Sequence, residues 1–168
     1  MSGFPGARRV MGAVADGGIV PEVIGTQSDD YAGDVTPEEA FRMLGADPKA
    51  TLVDVRTRAE WSFVGVPDLS GLGKEPMLLE WQVFPAMERN PRFADDLASA
   101  LGPDMKDSPV FFLCRSGARS RAAAIALTAA GFGRCFNIAG GFEGDLDSTR
   151  HRGARNGWKA MGLPWAQS

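Results

Sequence analysis

Pro109-Val110-Phe111-Phe112-Leu113-Cys114-Arg115-Ser116-Gly117-Ala118-Arg119-Ser120 passes abruptly from an unbroken apolar run into a short, basic, polar loop. The apolar part has the length and composition of a strand covered on both faces. Beyond the loop, Ala122, Ile125, Ala126 and Ala129 recur at helical spacing, so a helix is expected from about Ser120, with Gly131 closing it. Strand, loop and helix in that order place Cys114 where loop residues emerge at the carboxyl edge of a parallel sheet.

The same grammar repeats outward. Thr36-Pro37-Glu38-Glu39 reads as a capping box with Pro at the first helical position, Ala40, Phe41 and Leu44 supply one apolar face, and Gly45 and Pro48 end the helix. Thr51–Val55 reads as a second buried strand. A short helix is expected around Arg58–Phe63, a loop over Gly65–Pro76, and a strand over Met77–Trp81. Asn90-Pro91 opens another helix carrying Phe93, Leu97, Ala100 and Leu101, stopped by Gly102-Pro103. Arg134–Ile138 is a further strand, turned by Gly140-Gly141, and the polar stretch from Gly144 to Ser168 carries Trp158 and Trp165 as packing anchors. Strands alternating with helices predict an α/β fold with a mainly parallel sheet.

Composition limits what such a fold can do. The chain has 168 residues, 44% hydrophobic and 23% charged, enough for one core and one domain. Eighteen basic against twenty-one acidic residues leave a net charge of −3, which argues against general binding to nucleic-acid backbones. Two cysteines exclude a disulfide scaffold, and one histidine argues against a metal site or a histidine base. No cofactor motif is present: there is no G-x-x-x-x-G-K-[ST], and Phe136 stands where a dinucleotide loop beginning at Gly131 needs its third glycine. No apolar run approaches a membrane span, and the run Val10–Ala15 stops at Asp16, short of a secretory signal. Residues 1–33 therefore read as a flexible arm ahead of a domain over residues 34–168, in a cytoplasmic protein.

Cys114 is the candidate reactive group. Its loop holds Arg115 and Arg119 and no acid, with Arg121 just beyond. Loop N–H groups and the first-turn N–H groups of the next helix can converge on one sulfur and favour the thiolate. A merely structural cysteine at a strand end would not need this positive loop. Cys135, in the strand Arg134–Ile138, reads as core.

Three motifs in order resemble the rhodanese family of sulfurtransferases, over roughly residues 34–165. Cys114-Arg-Ser-Gly-Ala-Arg-Ser120 looks like the family's persulfide-carrying loop. Leu52-Val-Asp54-Val-Arg56-x-x-x-Glu60-Trp61 is similar to its D-x-R-x-x-x-E-aromatic signature, and Asn137-Ile-Ala-Gly140-Gly141 matches its N-x-x-G-G turn. The resemblance implies a three-layer α/β/α domain with a central parallel sheet of about five strands. It further implies a Cys114 persulfide, held and oriented by Arg115, Ser116, Gly117, Ala118, Arg119 and Ser120. The sulfur would come from a small anionic donor such as thiosulfate or from a persulfide-bearing protein, and go to a thiol or cyanide. Asp54 and Arg56 are expected to form a supporting ion pair, with Glu60 reaching Arg56 across a helical turn. Where many family members read G-H-I-P-G-A, this chain reads Gly65-Val-Pro67-Asp68-Leu69 and lacks the histidine, so its pocket rim differs.

Two alternatives stand beside the enzyme. One is a persulfide relay or rhodanese-like binding module acting on a protein partner. The other is a phosphatase or arsenate reductase of the C-x5-R type. The sixth residue after Cys114 is Ser120, with arginines at the fifth and seventh, so the register disfavours the second. Arg150, His151, Arg152, Arg155 and Lys159 form a local basic cluster, expected either as a solvated cap or as a recruiter of anionic partners.

Overall fold

Along Val110–Leu113 successive side chains enter opposite layers: Val110 and Phe112 join one buried cluster, Phe111 and Leu113 the other. That two-residue alternation, apolar on both sides, requires cover on both faces of the sheet. The computed structural model describes residues 8–9, 20–25 and 28–168. Its central sheet contains β1 (Gly33–Val35), β2 (Thr51–Asp54), β3 (Met77–Leu78), β4 (Val110–Leu113) and β5 (Cys135–Ile138), in the spatial order β1-β5-β4-β2-β3. All four pairings are parallel.

The helices are α1 (Pro37–Ala46), α2 (Arg58–Val64), α3 (Phe93–Leu101) and α4 (Ala118–Ala129). One cluster gathers Ala40, Met43 and Leu44 of α1 with Phe111, Phe136 and the fully buried Trp158. The other gathers Phe93 and Leu97 of α3, Ala123, Ala124 and Leu127 of α4, and Val53, Phe112 and Cys135. The result is an α/β domain with helices on both sheet faces.

Helix starts are specified locally. Thr36 caps α1 by accepting the Glu39 N–H at 3.1 Å, but the Glu39 carboxylate turns to the Glu22 N–H and Arg42 instead of returning to Thr36. The full capping box forms at α2, where the Thr57 hydroxyl accepts the Glu60 N–H and the Glu60 carboxylate accepts the Thr57 N–H. α4 begins at Ala118, two residues earlier than expected. Gly117, at φ +124°, makes the sharp entry, and its carbonyl accepts the Arg121 N–H.

Packed chain also begins ahead of position 34. Val23 and Tyr31 are buried, and Glu22–Val23 with Ile24 lie along β1. Most of the expected arm, residues 1–7 and 10–19, lies outside the described residues. At the other end, Trp165–Ala166 pairs antiparallel with Val66–Pro67. Trp165 remains 40% exposed, so only Trp158 of the two expected anchors is a core residue. Gln82–Val83 and Glu88–Arg89 form a small antiparallel hairpin between the Met77–Trp81 segment and α3. Among the described residues no helix is long and apolar enough to cross a membrane.

Candidate active site

β4 delivers Cys114 to the carboxyl end of the sheet, and Gly117 folds the chain back over it. The Cys114 Sγ lies 3.1 Å from the Gly117 backbone nitrogen, which donates to it, and 3.1 Å from the Ser120 Oγ. Gly117 N–H and the first turn of α4 thus face the sulfur with positive partial charge, as a helix N-terminus does for an anion. Arg115 and Ala118 are exposed on the rim, and Ser116 is half-buried beside them.

The floor of the loop is fixed by the glycine turn after β5. Phe142 N–H donates to the Cys114 carbonyl at 2.8 Å, while Glu143 and Gly144 N–H donate to the Arg115 carbonyl at 3.0 and 3.2 Å. A side chain at Gly141 would begin 2.5 Å from the Cys114 carbonyl oxygen, so the two backbones meet with no room between them. Arg56 is wholly buried next door. Its Nε and Nη2 donate to Asp54 Oδ1 and Oδ2 at 2.9 and 2.6 Å, its Nη2 also donates to the Gly65 carbonyl, and its guanidinium lies 4.2 Å over the Phe142 ring. The expected Asp54–Arg56 pair is therefore present, with its guanidinium laid on the Phe142 ring.

Glu60 does not pair with Arg56, correcting the reading from helical spacing. It holds Arg119 in a two-point contact, Nη1 to Oε1 at 2.7 Å and Nη2 to Oε2 at 3.0 Å. The loop arginine is thereby tied to the N-terminus of α2. Arg115, by contrast, has no ion-pair partner among the described residues. Burial pushes the Glu60 carboxyl up, but hydrogen bonds from Arg119 and Thr57 outweigh it and bring it down to about 2. Because the folded value is depressed, the clamp contributes stability fully present above the ordinary glutamate value of 4.5 and lost as pH falls through about 2. Glu60→Gln should therefore cost about 1–2 kcal/mol at pH 7 for this partly exposed pair. Urea midpoints of the two proteins should converge as pH is lowered from 4.5 to 2.5, and a gap independent of pH would contradict the clamp.

Cys135 takes no part in this geometry. Burial pushes its thiol up to about 12, only partly opposed by Thr128, and its Sγ lies 3.5 Å from the Phe132 carbonyl. The basic cluster after Gly144 is mostly consumed locally: Arg152 donates to the Gly144 carbonyl, and Lys159 donates to the Val64 carbonyl while lying over the Phe142 and Trp165 rings.

Asn137 is the site residue the sequence reading left unassigned. Its Oδ1 lies 2.5 Å from the Ser120 Oγ, and its Nδ2 donates to Asp34. A polar side chain inside the buried run Cys135-Phe136-Asn137-Ile138 was the available signal. Two grooves of about 440 Å³ each flank α2 and share Arg58 and Ser62; neither is lined by Cys114. Around them Phe63, Leu78, Val83 and Phe84 are exposed.

The chain is similar in sequence and fold to several known proteins. A family model described as STR4 middle domain matches residues 32–168. The crystal structure of Rv0390 from M. tuberculosis is 51% identical, covers 82% of this chain and 99% of its own, and superposes with a TM-score of 0.75. A protein of Rickettsia rickettsii, named as uncharacterized, is 41% identical over 127 residues, 76% of this chain and 91% of the relative. Rhodanese-like domain-containing protein 4 of Arabidopsis thaliana chloroplasts is 27% identical over 130 residues, 77% of this chain but only 25% of the plant protein. The solution structure of a polysulfide-sulfur transferase homodimer from Wolinella succinogenes is 25% identical with a TM-score of 0.51, covering 80% of this chain and 77% of that one.

Proposed function

Because the chain belongs to the rhodanese-like domain family, with the STR4 middle domain model matching residues 32–168, we propose that it is a sulfurtransferase carrying sulfane sulfur on Cys114. The observation that carries the reading is the Cys114 sulfur at a strand end, facing the Gly117 N–H and the Ser120 hydroxyl at the start of α4.

In the first half-reaction the Cys114 thiolate attacks the outer sulfur of thiosulfate. The new S–S bond forms as the bond to the sulfonate sulfur breaks, and sulfite departs with that electron pair. Charge then rests on the outer sulfur of the persulfide, where amide and hydroxyl donors can meet it. In the second half-reaction cyanide or a thiolate attacks that outer sulfur, and the Cys114 thiolate is released unchanged. Arg115, exposed at the rim and without an ion-pair partner among the described residues, is the group suited to attract the anionic donor. Arg119 contributes position more than capture, since its fork is occupied by Glu60. Two free cysteines suit a reducing compartment, so the cytosol is the proposed setting.

A persulfide relay from a protein donor is the second reading. It is favoured by the exposed apolar side chains of Phe63 on α2 and Phe84 beside it, α2 being the helix that holds Arg119 through Glu60.

Intact mass after thiosulfate treatment tests both. The wild-type chain should gain the mass of one sulfur atom, lost again on adding cyanide, and Cys114→Ser should gain none. Absence of the gain with thiosulfate but its presence after incubation with a persulfide-bearing protein would select the relay. Sulfur transfer retained by Cys114→Ser would overturn both.

A further inference from the structure

Ser120 is wholly buried and has one hydroxyl proton, yet three acceptors lie within its reach: Asn137 Oδ1 at 2.5 Å, Cys114 Sγ at 3.1 Å and the Gly117 carbonyl at 3.2 Å. Only one can be served at a time. Asn137 decides which, because its own orientation is not free. The Asp34 carboxylate can only accept, so the Asn137 amide turns Nδ2 toward Asp34 Oδ1, at 3.1 Å, and leaves Oδ1 facing Ser120. Two oxygens 2.5 Å apart need a proton between them, and Ser120 is the one that has it. Asp34 Oδ1 also accepts from the Tyr31 hydroxyl at 2.8 Å, and Tyr31 in turn accepts from Arg121 Nε at 3.2 Å. Donation therefore converges on Asp34 from two sides, from Arg121 through Tyr31 and from Ser120 through Asn137, and Ser120 links the second arm to the sulfur.

We propose that Asp34, acting through Asn137, is a positioning residue that withholds the Ser120 proton from Cys114 at rest and releases it when negative charge builds on the sulfur. The proposal rests on Cys114 being the reactive thiol of the preceding reading. With the proton on Asn137, Ser120 presents lone pairs to the sulfur and suits the S–H form. When the thiolate forms, the hydroxyl rotates to donate to Sγ and Asn137 Oδ1 loses its donor. The carboxylate polarises the Asn137 amide, strengthening Oδ1 as a competitor for the proton. Asp34 thus restrains the nucleophile, although it lies on the edge strand and is separated from the sulfur by two side chains.

Removing the charge and removing the hydroxyl must then have opposite signs. The readout is the pH profile of Cys114 carboxamidomethylation by iodoacetamide, followed by peptide mass, which reads the thiolate without any sulfur transfer. Asp34→Asn should speed the reaction about threefold at neutral pH and move the profile to lower pH. Ser120→Ala should slow it about tenfold, the scale of a lost hydrogen bond to a charged group. The double variant should behave as Ser120→Ala, because the effect of Asp34 passes through that hydroxyl. The remaining charged groups near the loop, Arg115, Arg119, Glu60, Asp54, Arg56, Glu143 and Arg121, are the same in every variant, so they cannot produce the sign reversal. Tyr31→Phe gives a second handle that leaves the edge strand intact. It strips one donor from Asp34, the carboxylate bears harder on Asn137, and alkylation should slow. Slowing by both Asp34→Asn and Ser120→Ala, additive effects in the double variant, or faster alkylation of Tyr31→Phe would overturn the proposal. The predicted pattern in a protein that takes no sulfur from any donor would leave it standing and remove the sulfurtransferase reading instead.

Discussion

Asp54→Ala should cost about 3–5 kcal/mol, a large share of the roughly 5–15 kcal/mol that holds a domain of this kind together. Both side chains of the Asp54–Arg56 pair are completely removed from solvent. Asp54 Oδ1 accepts the Arg56 Nε and backbone N–H, Oδ2 accepts Nη2, and the Gly65 carbonyl shares Nη2. Nη1 is buried with no hydrogen-bond partner among the described residues, leaving the guanidinium face on Phe142 as its cover. Without the carboxylate, a buried cation keeps one carbonyl and a ring, far less than hydration supplied. Pairing energy alone does not set the cost; the stranded charge does. Asp54→Ala/Arg56→Met should therefore recover much of the loss, since it removes both ions and leaves an apolar side chain of similar length against Phe142. Urea midpoints of the two single variants and the double variant provide the cycle. Additive losses, or an Asp54→Ala penalty below about 1 kcal/mol, would show that the ion is not buried as described.

Where local chemistry decides structure, the chain was readable. Val110–Leu113 is apolar at every position and ends in a polar loop, the pattern of a doubly covered strand. Gly102-Pro103 and Gly131 stop helices by mechanisms that depend on a residue or two. The loop carrying Cys114 announces itself because nothing in a packing role asks for two arginines and a thiol between a strand and a helix. β1 was not readable in the same way. Gly33-Asp34-Val35 has one apolar side chain, and it is a strand because β5 offers it a parallel edge in the register Phe136 to Gly33 and Ile138 to Val35. Such pairing is a property of two distant segments and leaves no periodicity in either.

The Glu60 partner was misread for a similar reason. The four-residue spacing to Arg56 invites a helical pair, but α2 starts at Arg58 and Arg56 lies before it, turned back onto Asp54. Helical spacing governs only residues inside the helix. Arg119, 59 positions away, is brought within 2.7 Å by the stacking of α2 against the loop. Asn137 shows how a motif can be recognised while its most informative residue is overlooked. Its alternation along β5 aims it at α4, where an apolar neighbour would be expected, and it meets Ser120.

Gly141→Ala should cripple the thiol and destabilise the domain well beyond Gly73→Ala, and comparison of the two glycines shows why. Both glycines have positive φ, +61° and +70°, so both alanine variants incur a comparable backbone penalty of about 1 kcal/mol. They differ in what the new methyl meets. At Gly73 there is nothing within 4 Å; at Gly141 the Cβ would lie 2.5 Å from the Cys114 carbonyl oxygen and 2.6 Å from the Arg115 carbonyl carbon and oxygen. Those atoms are backbone and cannot swing aside as a side chain end can. The active loop must move, and its moorings are the Phe142, Glu143 and Gly144 N–H bonds to the same two carbonyls. Added to the dihedral penalty, this overpacking should bring the Gly141→Ala loss to about 2–4 kcal/mol. Displacing the Gly117 N–H from Cys114 should slow iodoacetamide alkylation about 100-fold at neutral pH, the scale of a misplacement near 1 Å in a positioned site. Gly73→Ala should alkylate at the wild-type rate. Equal melting-temperature losses in the two variants, with equal alkylation rates, would mean that the glycine turn does not hold the loop, and that the Gly117 contact to sulfur is set by β4 and α4 alone.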